Sequence, residues 1–406
     1  MSEEKLVPKL RFSGFDDEWS STKLKYITKV IVGYVGTISK YYTNNNGVPL
    51  LSTKNITDKG IDLSEINYVT KEFHAKNKKS QIFSNDLLIA RHGNSGSAFL
   101  IPETVSEAQA LNVVIIKNSK NFDSYFMENY FETTKIKKYM ASLKAGSVQG
   151  VVNTKDIEKI SINLPSFNEQ NKINSFLQLF DRKIQLLENQ YQICLDFKKY
   201  LMQQIFTQKL RFDFNEEWQE IQLKDIGTFY RGHSYNSTNV VEEGLLVLRS
   251  NNIKNNNLDF SLSELQFVNK DCKDHLALQK NDIVICMSNG TRKLVGKSAQ
   301  YMGNYNNKLT VGAFCSIFRT KNKLAKYLFQ TEHYKRNLYL ILAGTNINNL
   351  KNSDLEKFKF NIPTNKMEIN KIYNLFNALD KKIDFNKNKL DEILLFKKGL
   401  LQQMFV

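Results

Sequence analysis

NEQNKINSFLQLFDRKIQLLENQYQICLDFKKYLMQQIFT, residues 168–207, runs for 40 positions without a proline or a glycine. Apolar or long-stemmed side chains stand at Ile173, Leu177, Phe180, Ile184, Leu187, Tyr191, Cys194, Lys198, Leu201 and Ile205, in steps that alternate between four and three. A heptad seam of this length predicts one long helix, about 60 Å from end to end at ~1.5 Å per residue, and it demands a partner helix to cover the seam. The chain supplies that partner. Ile372, Phe376, Leu379, Ile383, Asn386, Leu390, Ile393, Lys397, Leu400 and Met404 repeat the same steps. Lys198, Lys397 and Asn386 are polar positions inside the seams, of the kind that fix register at some cost in stability.

The two stretches are copies. FKKYLMQQIF (197–206) and FKKGLLQQMF (396–405) agree in seven of ten places at a separation of 199 residues. Glu169, Asp181 and Lys183 recur at that separation as Glu368, Asp380 and Lys382, and Pro165 recurs as Pro363 at 198. Asn85-Asp86 answers Asn281-Asp282, VPLLSTKNI (48–56) answers LLVLRSNNI (245–253), and Trp19 and Trp218 are the only two tryptophans. The chain is therefore a tandem duplication. After the first decapeptide it continues into QKLRF, whereas the matching PKLRF stands near residue 9. Head and tail together complete the unit that the middle holds intact, so a pseudo-twofold arrangement is expected, with the chain ends close in space and the two long helices antiparallel.

Composition narrows the function. Fifty-seven Lys and Arg against 41 Asp and Glu leave a formal charge of +16, spread through both copies. A polyanion such as nucleic acid is the natural partner for that excess. No run approaches the length of a membrane span, and the start MSEEKLVPKL lacks an apolar core, so a cytoplasmic protein with no membrane partner is expected. Cys194, Cys272, Cys286 and Cys315 form no CxxC pair, and His74, His92, His233, His275 and His333 show no ligand spacing, which points away from a metal site. GTRKLVGKS (290–298) has five residues between its glycines where a phosphate-binding loop needs four. All five prolines are isolated, so the double-proline loop with which amino-methyltransferases hold a flipped base is not in the sequence. Nor does a nuclease carboxylate cluster stand out, and no chemistry by this chain itself is expected.

Ahead of each helix lies a segment that has diverged. SQIFSNDLLIARHG and LALQKNDIVICMSNG each read as a polar Asn-Asp turn, a buried strand and a glycine-bearing loop. Beyond those strands the copies differ in the residues that hydrogen-bond bases and phosphates. Arg91, His92 and Asn94 face Asn289, Arg292 and Lys293; Ser52, Lys54 and Asn55 face Arg249, Asn251 and Asn252; and Arg231 and Lys297 occur in the second copy. Loops that differ in such residues on a shared frame suit two modules reading different sequences. The fold expected is α+β: a segment 1–19 completing the second repeat, a mixed recognition domain at 20–165, a helix at 166–207, a second domain at 208–363 and a helix at 364–406.

LPSFNEQNKINSFLQLFDRKIQLLENQ followed by FKKYLMQQIFTQKLRF, with the shadow copy IPTNKMEINKIYNLFNALDKKI and FKKGLLQQMF, resembles the specificity subunit of Type I restriction-modification systems over essentially the whole chain. The resemblance implies two target-recognition domains alternating with two antiparallel helical regions. Each domain would read half of a bipartite, asymmetric sequence in double-stranded DNA, and the helices would set the gap between the halves. It implies partners too: two adenine methyltransferase subunits using S-adenosylmethionine and, where present, two restriction subunits using ATP and Mg, with no cofactor held by this chain. Ser147 and Gln149, and their counterparts Thr345 and Asn346, match a family loop near DNA. The usual helix entry weakens to IPTNKME in the second copy. A coiled-coil interaction scaffold without catalysis and a stand-alone DNA-binding regulator are the alternatives.

Overall fold

Each long stretch folds as one helix, α1 (Phe167–Phe206) without proline or glycine and α2 (Lys366–Met404) with Gly399 near its end, in a computed structural model that describes residues 5–92, 96–145, 151–344 and 348–406. Every residue of the two predicted seams is buried or half-buried. The chain forms two compact units, Met1–Glu188 with Asn388–Val406, and Asn189–Lys387, so the dividing line falls inside both helices. In unit 1 the rings of Phe180 and Phe396 lie 5.6 Å apart and Lys397 pairs with Asp181. In unit 2 Lys198 meets Asp380 at 2.6 Å, and Phe206 stacks on Phe376 at 6.0 Å. Numbers rise along one helix as they fall along its partner, which is the antiparallel register.

The seam lysines are thus neutralised in place. Each carboxylate also accepts a tyrosine hydroxyl from its own domain, Tyr125 for Asp181, and Tyr327 at 3.0 Å for Asp380. One aspartate ties helix to helix and helix to domain. Asn386, only 2% exposed, donates to Cys194 Sγ at 3.4 Å.

The repeated decapeptide has a packing cause. Leu201, Met202 and Ile205 join Tyr327, Ile372 and Phe376 in a core of unit 2, while Leu400, Leu401, Met404 and Phe405 join Trp19, Phe126 and Tyr130 in unit 1. Burial of each such side chain contributes on the order of 2 kcal/mol, which the lysines and glutamines on the exposed faces do not supply. The chain ends meet as expected: the Leu10 amide donates to the Gln403 carbonyl at 2.9 Å, and the Trp19 ring lies 6.1 Å from Phe405.

KLRF, the tryptophans and the glutamates at the helix starts recur because they form one device. Arg11 forks onto Glu169 with both bonds at 2.8 Å, and Trp19 Nε1 donates to the same carboxylate at 3.3 Å. Arg211 grips Glu368 at 2.9 and 3.0 Å, with Trp218 Nε1 at 3.1 Å. Both glutamates sit in the first turn of their helix, where the helix dipole favours an anion.

Each domain carries two sheets of four or five strands besides short two-stranded pairs. In unit 1 a four-stranded sheet orders Phe99–Leu100, Leu87–Ala90, Val113–Ile116 and Val30–Val32, and a five-stranded one pairs Val48–Ser52 in parallel with Glu107–Leu111. Unit 2 repeats the pattern: Ile283–Cys286 and Cys315–Thr320 lie at the centre of one sheet, and Leu245–Leu248 runs parallel to Leu309–Val311 in the other. The runs after Asn-Asp are buried strands throughout, and Asn85 and Asn281 take left-handed φ of 69° and 77° at the turns before them. The paired aspartates are structural: Asp86 takes Lys117, and Asp282 takes Arg319 at 2.7 Å. An antiparallel pair closes each domain at its neck, Ser20–Lys23 with Ser161–Leu164 and Gln219–Gln222 with Lys359–Ile362.

Glu128 lies on the helix Ser124–Phe131, within reach of the charges of Lys397 and Asp181 on the helix pair. Burial pushes its carboxyl up to about 7, against the pull of the Leu100 amide, which donates to Oε1 at 2.9 Å. A raised carboxyl favours the folded state when protonated, so its contribution to stability falls as pH rises from the ordinary glutamate range through about 7 and then levels off. Glu128→Gln keeps the amide acceptor without the charge. It should melt at a higher temperature than the parent at pH 8, by a stability difference on the order of 2 kcal/mol, and the gap should close near pH 4.5. Equal melting temperatures at pH 8 would show that the carboxylate is hydrated in place.

Candidate nucleic-acid interface

Three chain segments converge at one end of each domain because each follows a buried strand that ends there. In unit 2 they are the turn Ser250–Asn252 after Leu245–Leu248, the loop 288–290 after Ile283–Cys286, and the turn 312–315 entering Cys315–Thr320. They enclose a cleft of about 520 Å³ lined by Arg249, Asn251 and Asn289, with His233, Tyr235 and Gln266 opposite. Asn289 Nδ2 donates to Ser250 Oγ at 3.1 Å and locks two of the segments together. No aspartate or glutamate is among the lining residues.

Glycine makes the convergence possible. A Cβ on Gly232 would come 2.1 Å from the Gly312 carbonyl oxygen, so the strand carrying His233 can cross the neighbouring turn only without a side chain. Gly33 has the same role in unit 1, where a Cβ would meet the Ala110 carbonyl oxygen at 2.8 Å. His233 is 8% exposed, and burial lowers its pKa, with the Lys270 charge acting the same way, so the ring is neutral. Its Nε2 and the Nε of Arg249 are enclosed without a hydrogen-bond partner. Arg249 is held only loosely, Nη2 donating to the Glu264 carbonyl at 3.3 Å. Burial, with Cys286 facing it, pushes the Cys315 thiol at the cleft up to about 12, so it stays protonated.

The sequence candidates divide. Arg249, Asn251 and Asn289 come together in the cleft. Arg231 and Lys293 are exposed but do not line it, and Arg292 is exposed with Nε donating to Asn348 at 3.2 Å. In unit 1 Lys54 and His92 are exposed, Ser52 is half-buried, and Arg91 Nη1 donates to Asn112 Oδ1 at 3.1 Å. Three candidates turn inward instead of outward. Asn55, 2% exposed, donates to the carbonyls of Asp62 and Glu65, and Asn252, 0% exposed, to those of Asp259 and Glu264. Both hold their turns from behind. Lys297 is tied to the Ile253 carbonyl at 2.9 Å. Asn94, Ser147, Gln149, Thr345 and Asn346 lie outside the described residues. Sequence reasoning gave no role to His233, Tyr235, Gln266 or Phe314; the only signal for the first was its place after Gly232, opposite Gly33-Tyr34.

Among the described residues no group of three or more His, Cys, Asp and Glu could hold a metal ion, and no helix is long and apolar enough to cross a membrane.

Comparison with known proteins agrees with this architecture. Residues 16–193 and 215–395 match the Type I restriction modification DNA specificity domain. The MjaVIII specificity subunit of Methanocaldococcus jannaschii is 23% identical over 95% of this chain and 91% of its own length. The StySPI specificity subunit of Salmonella potsdam is 28% identical over 44% of the chain, a match that spans 39% of that relative's length. In fold, the S subunit of a Type I restriction-modification system from M. genitalium superposes with a TM-score of 0.59 over 98% of this chain and 99% of its own, at 15% identity. With both copies of the duplication matched, the chain belongs to the Type I restriction-modification specificity subunits and carries two of the family's DNA specificity domains.

Proposed function

We propose that this chain reads DNA for a multisubunit Type I complex and leaves bond-making to other subunits. One observation carries the reading: two domains share a preserved frame, yet at the same end of each the polar loops differ, Arg249-Ser250-Asn251 where the first copy has Ser52-Thr53-Lys54. Each domain then contacts one half of a bipartite, asymmetric target in double-stranded DNA, with the +16 charge supplying the sequence-independent part of the affinity. The helix pair sets the spacer between the halves.

Partners complete the machine. α1 keeps Leu179, Leu186, Ile193 and Tyr200 exposed at intervals of seven residues, between 56% and 66% accessible, on a face the seam does not use. Apolar side chains repeating at that interval suit the helix of another chain. Two adenine methyltransferase subunits bring S-adenosylmethionine, and restriction subunits, where they join, bring ATP and Mg. Mapping N6-methyladenine across the genome with and without this chain tests the reading. A two-part motif should lose its methylation when the chain is removed, and an unchanged map would count against a role in recognition.

A further inference from the structure

We infer that Phe314 is a wedge that opens one step of the duplex at the half-site read by the second domain, and that the cleft beside it holds the base so displaced; this rests on the proposed DNA-reading function.

The ring of Phe314 is 69% exposed although Cys315, next to it, is fully buried. It is not a loose side chain on a loose loop. The Met287 and Ser288 amides donate to the Phe314 carbonyl at 2.8 and 3.2 Å, and the Cys315 amide closes the turn onto Gly312 at 2.8 Å. A backbone clamped on both sides holds the aromatic group out in water, and insertion between base pairs would bury it again.

The cleft beside it is built for something that enters. His233 Nε2 and Arg249 Nε, on two of the residues that line the cleft, are enclosed and lack partners, and a turn of either side chain toward the cleft would offer them to a base held there. Buried polar groups left unpaired in a native fold call for an occupant or an explanation. The lining mixes a neutral imidazole, one guanidinium, the hydroxyls of Tyr235 and Ser288 and the amide of Gln266. That set matches a heteroaromatic base, with donors and acceptors along one edge, better than a phosphate, which would call for several cations. Its volume of about 520 Å³ falls within the range of sites that enclose small planar ligands.

Among its described residues the first domain lacks the device. There the Gly33 amide reaches Val113 directly after Leu111 and Asn112, whereas the equivalent Gly232 amide reaches Cys315 after Gly312, Ala313 and Phe314. The turn is one residue shorter and carries no aromatic side chain, and Arg91 packs its guanidinium onto Asn112. The device therefore belongs to the half-site read by the second domain.

The test uses the full chain assembled with its methyltransferase subunits and duplexes carrying 2-aminopurine at successive positions of the mapped target. At one position of the second half-site, other than the methylated adenine that the partner itself extrudes, fluorescence should rise about fivefold or more as the base leaves the stack. Phe314→Ala should return that signal to the free-duplex level while anisotropy still reports binding. Quenched fluorescence at every such position, or a signal that survives Phe314→Ala, would overturn the wedge and leave DNA recognition standing. Absence of binding to the mapped target would overturn both.

Discussion

Glu169→Ala should lower the melting temperature of unit 1 by on the order of 10 °C. The carboxylate is 2% exposed and Arg11 11% exposed, so removing the acid strands a guanidinium with little water to replace two lost bonds. Breaking one partner of a buried ion pair typically costs about 3–5 kcal/mol, and in a unit of this size each kcal/mol moves the midpoint by roughly 2–4 °C. The Arg11 guanidinium does not escape by losing its proton, because arginine stays charged even without a partner. Trp19 Nε1 loses its acceptor at the same time. Replacing Arg11 and Glu169 together by Met and Leu should recover most of the loss, because no charge is then left buried. Calorimetry of the full chain separates the possibilities: a shift of only a degree or two in the single variant would mean that the cluster is hydrated and does not clamp the helix entry.

Exchanging residues 20–163 for the matching segment of a relative should replace one half of the methylated motif and leave the other half and the spacer untouched. The neck makes this graft feasible. Ser20 pairs with Leu164 and Lys23 with Ser161, so the inserted domain leaves and rejoins the frame through adjacent strands about 5 Å apart. The neck uses backbone hydrogen bonds that any non-proline sequence can make, and a foreign insert finds the same doorway. The effect is complete rather than graded, since every base contact of that half changes at once. Sequencing of methylated adenines in cells carrying the chimera reads it directly. Alteration of both halves would show that the domains do not read independently.

The features legible in the sequence are those encoded at short range or by repetition. The helices follow from uninterrupted heptads, the buried strands from apolar runs after Asn-Asp, and the duplication from the 199-residue offset. What escaped is what depends on distance along the chain. Arg11 and Glu169 are separated by 158 residues, and their link was visible only as a recurrence of KLRF, tryptophan and glutamate with no hint that the three touch. Asn55 and Asn252 read in the sequence as candidates to meet bases, because an asparagine in a polar loop has the same composition whether it faces out or fastens the turn beneath it. In the structure both are buried and bonded to backbone carbonyls. The cleft draws His233, Arg249, Asn289 and Phe314 from four separate segments brought together by a Gly232 crossing that no local pattern announces.

Unit 1 is completed by Asn388–Val406, the tail of the other repeat, and unit 2 by the end of α1. A polypeptide holding a single repeat would therefore be unfinished until a second copy lent it a tail. Such a homodimer, being two-fold symmetric, would be confined to palindromes. Joining the repeats in one chain removes that restriction, since on the proposed reading each domain can then diverge on its own.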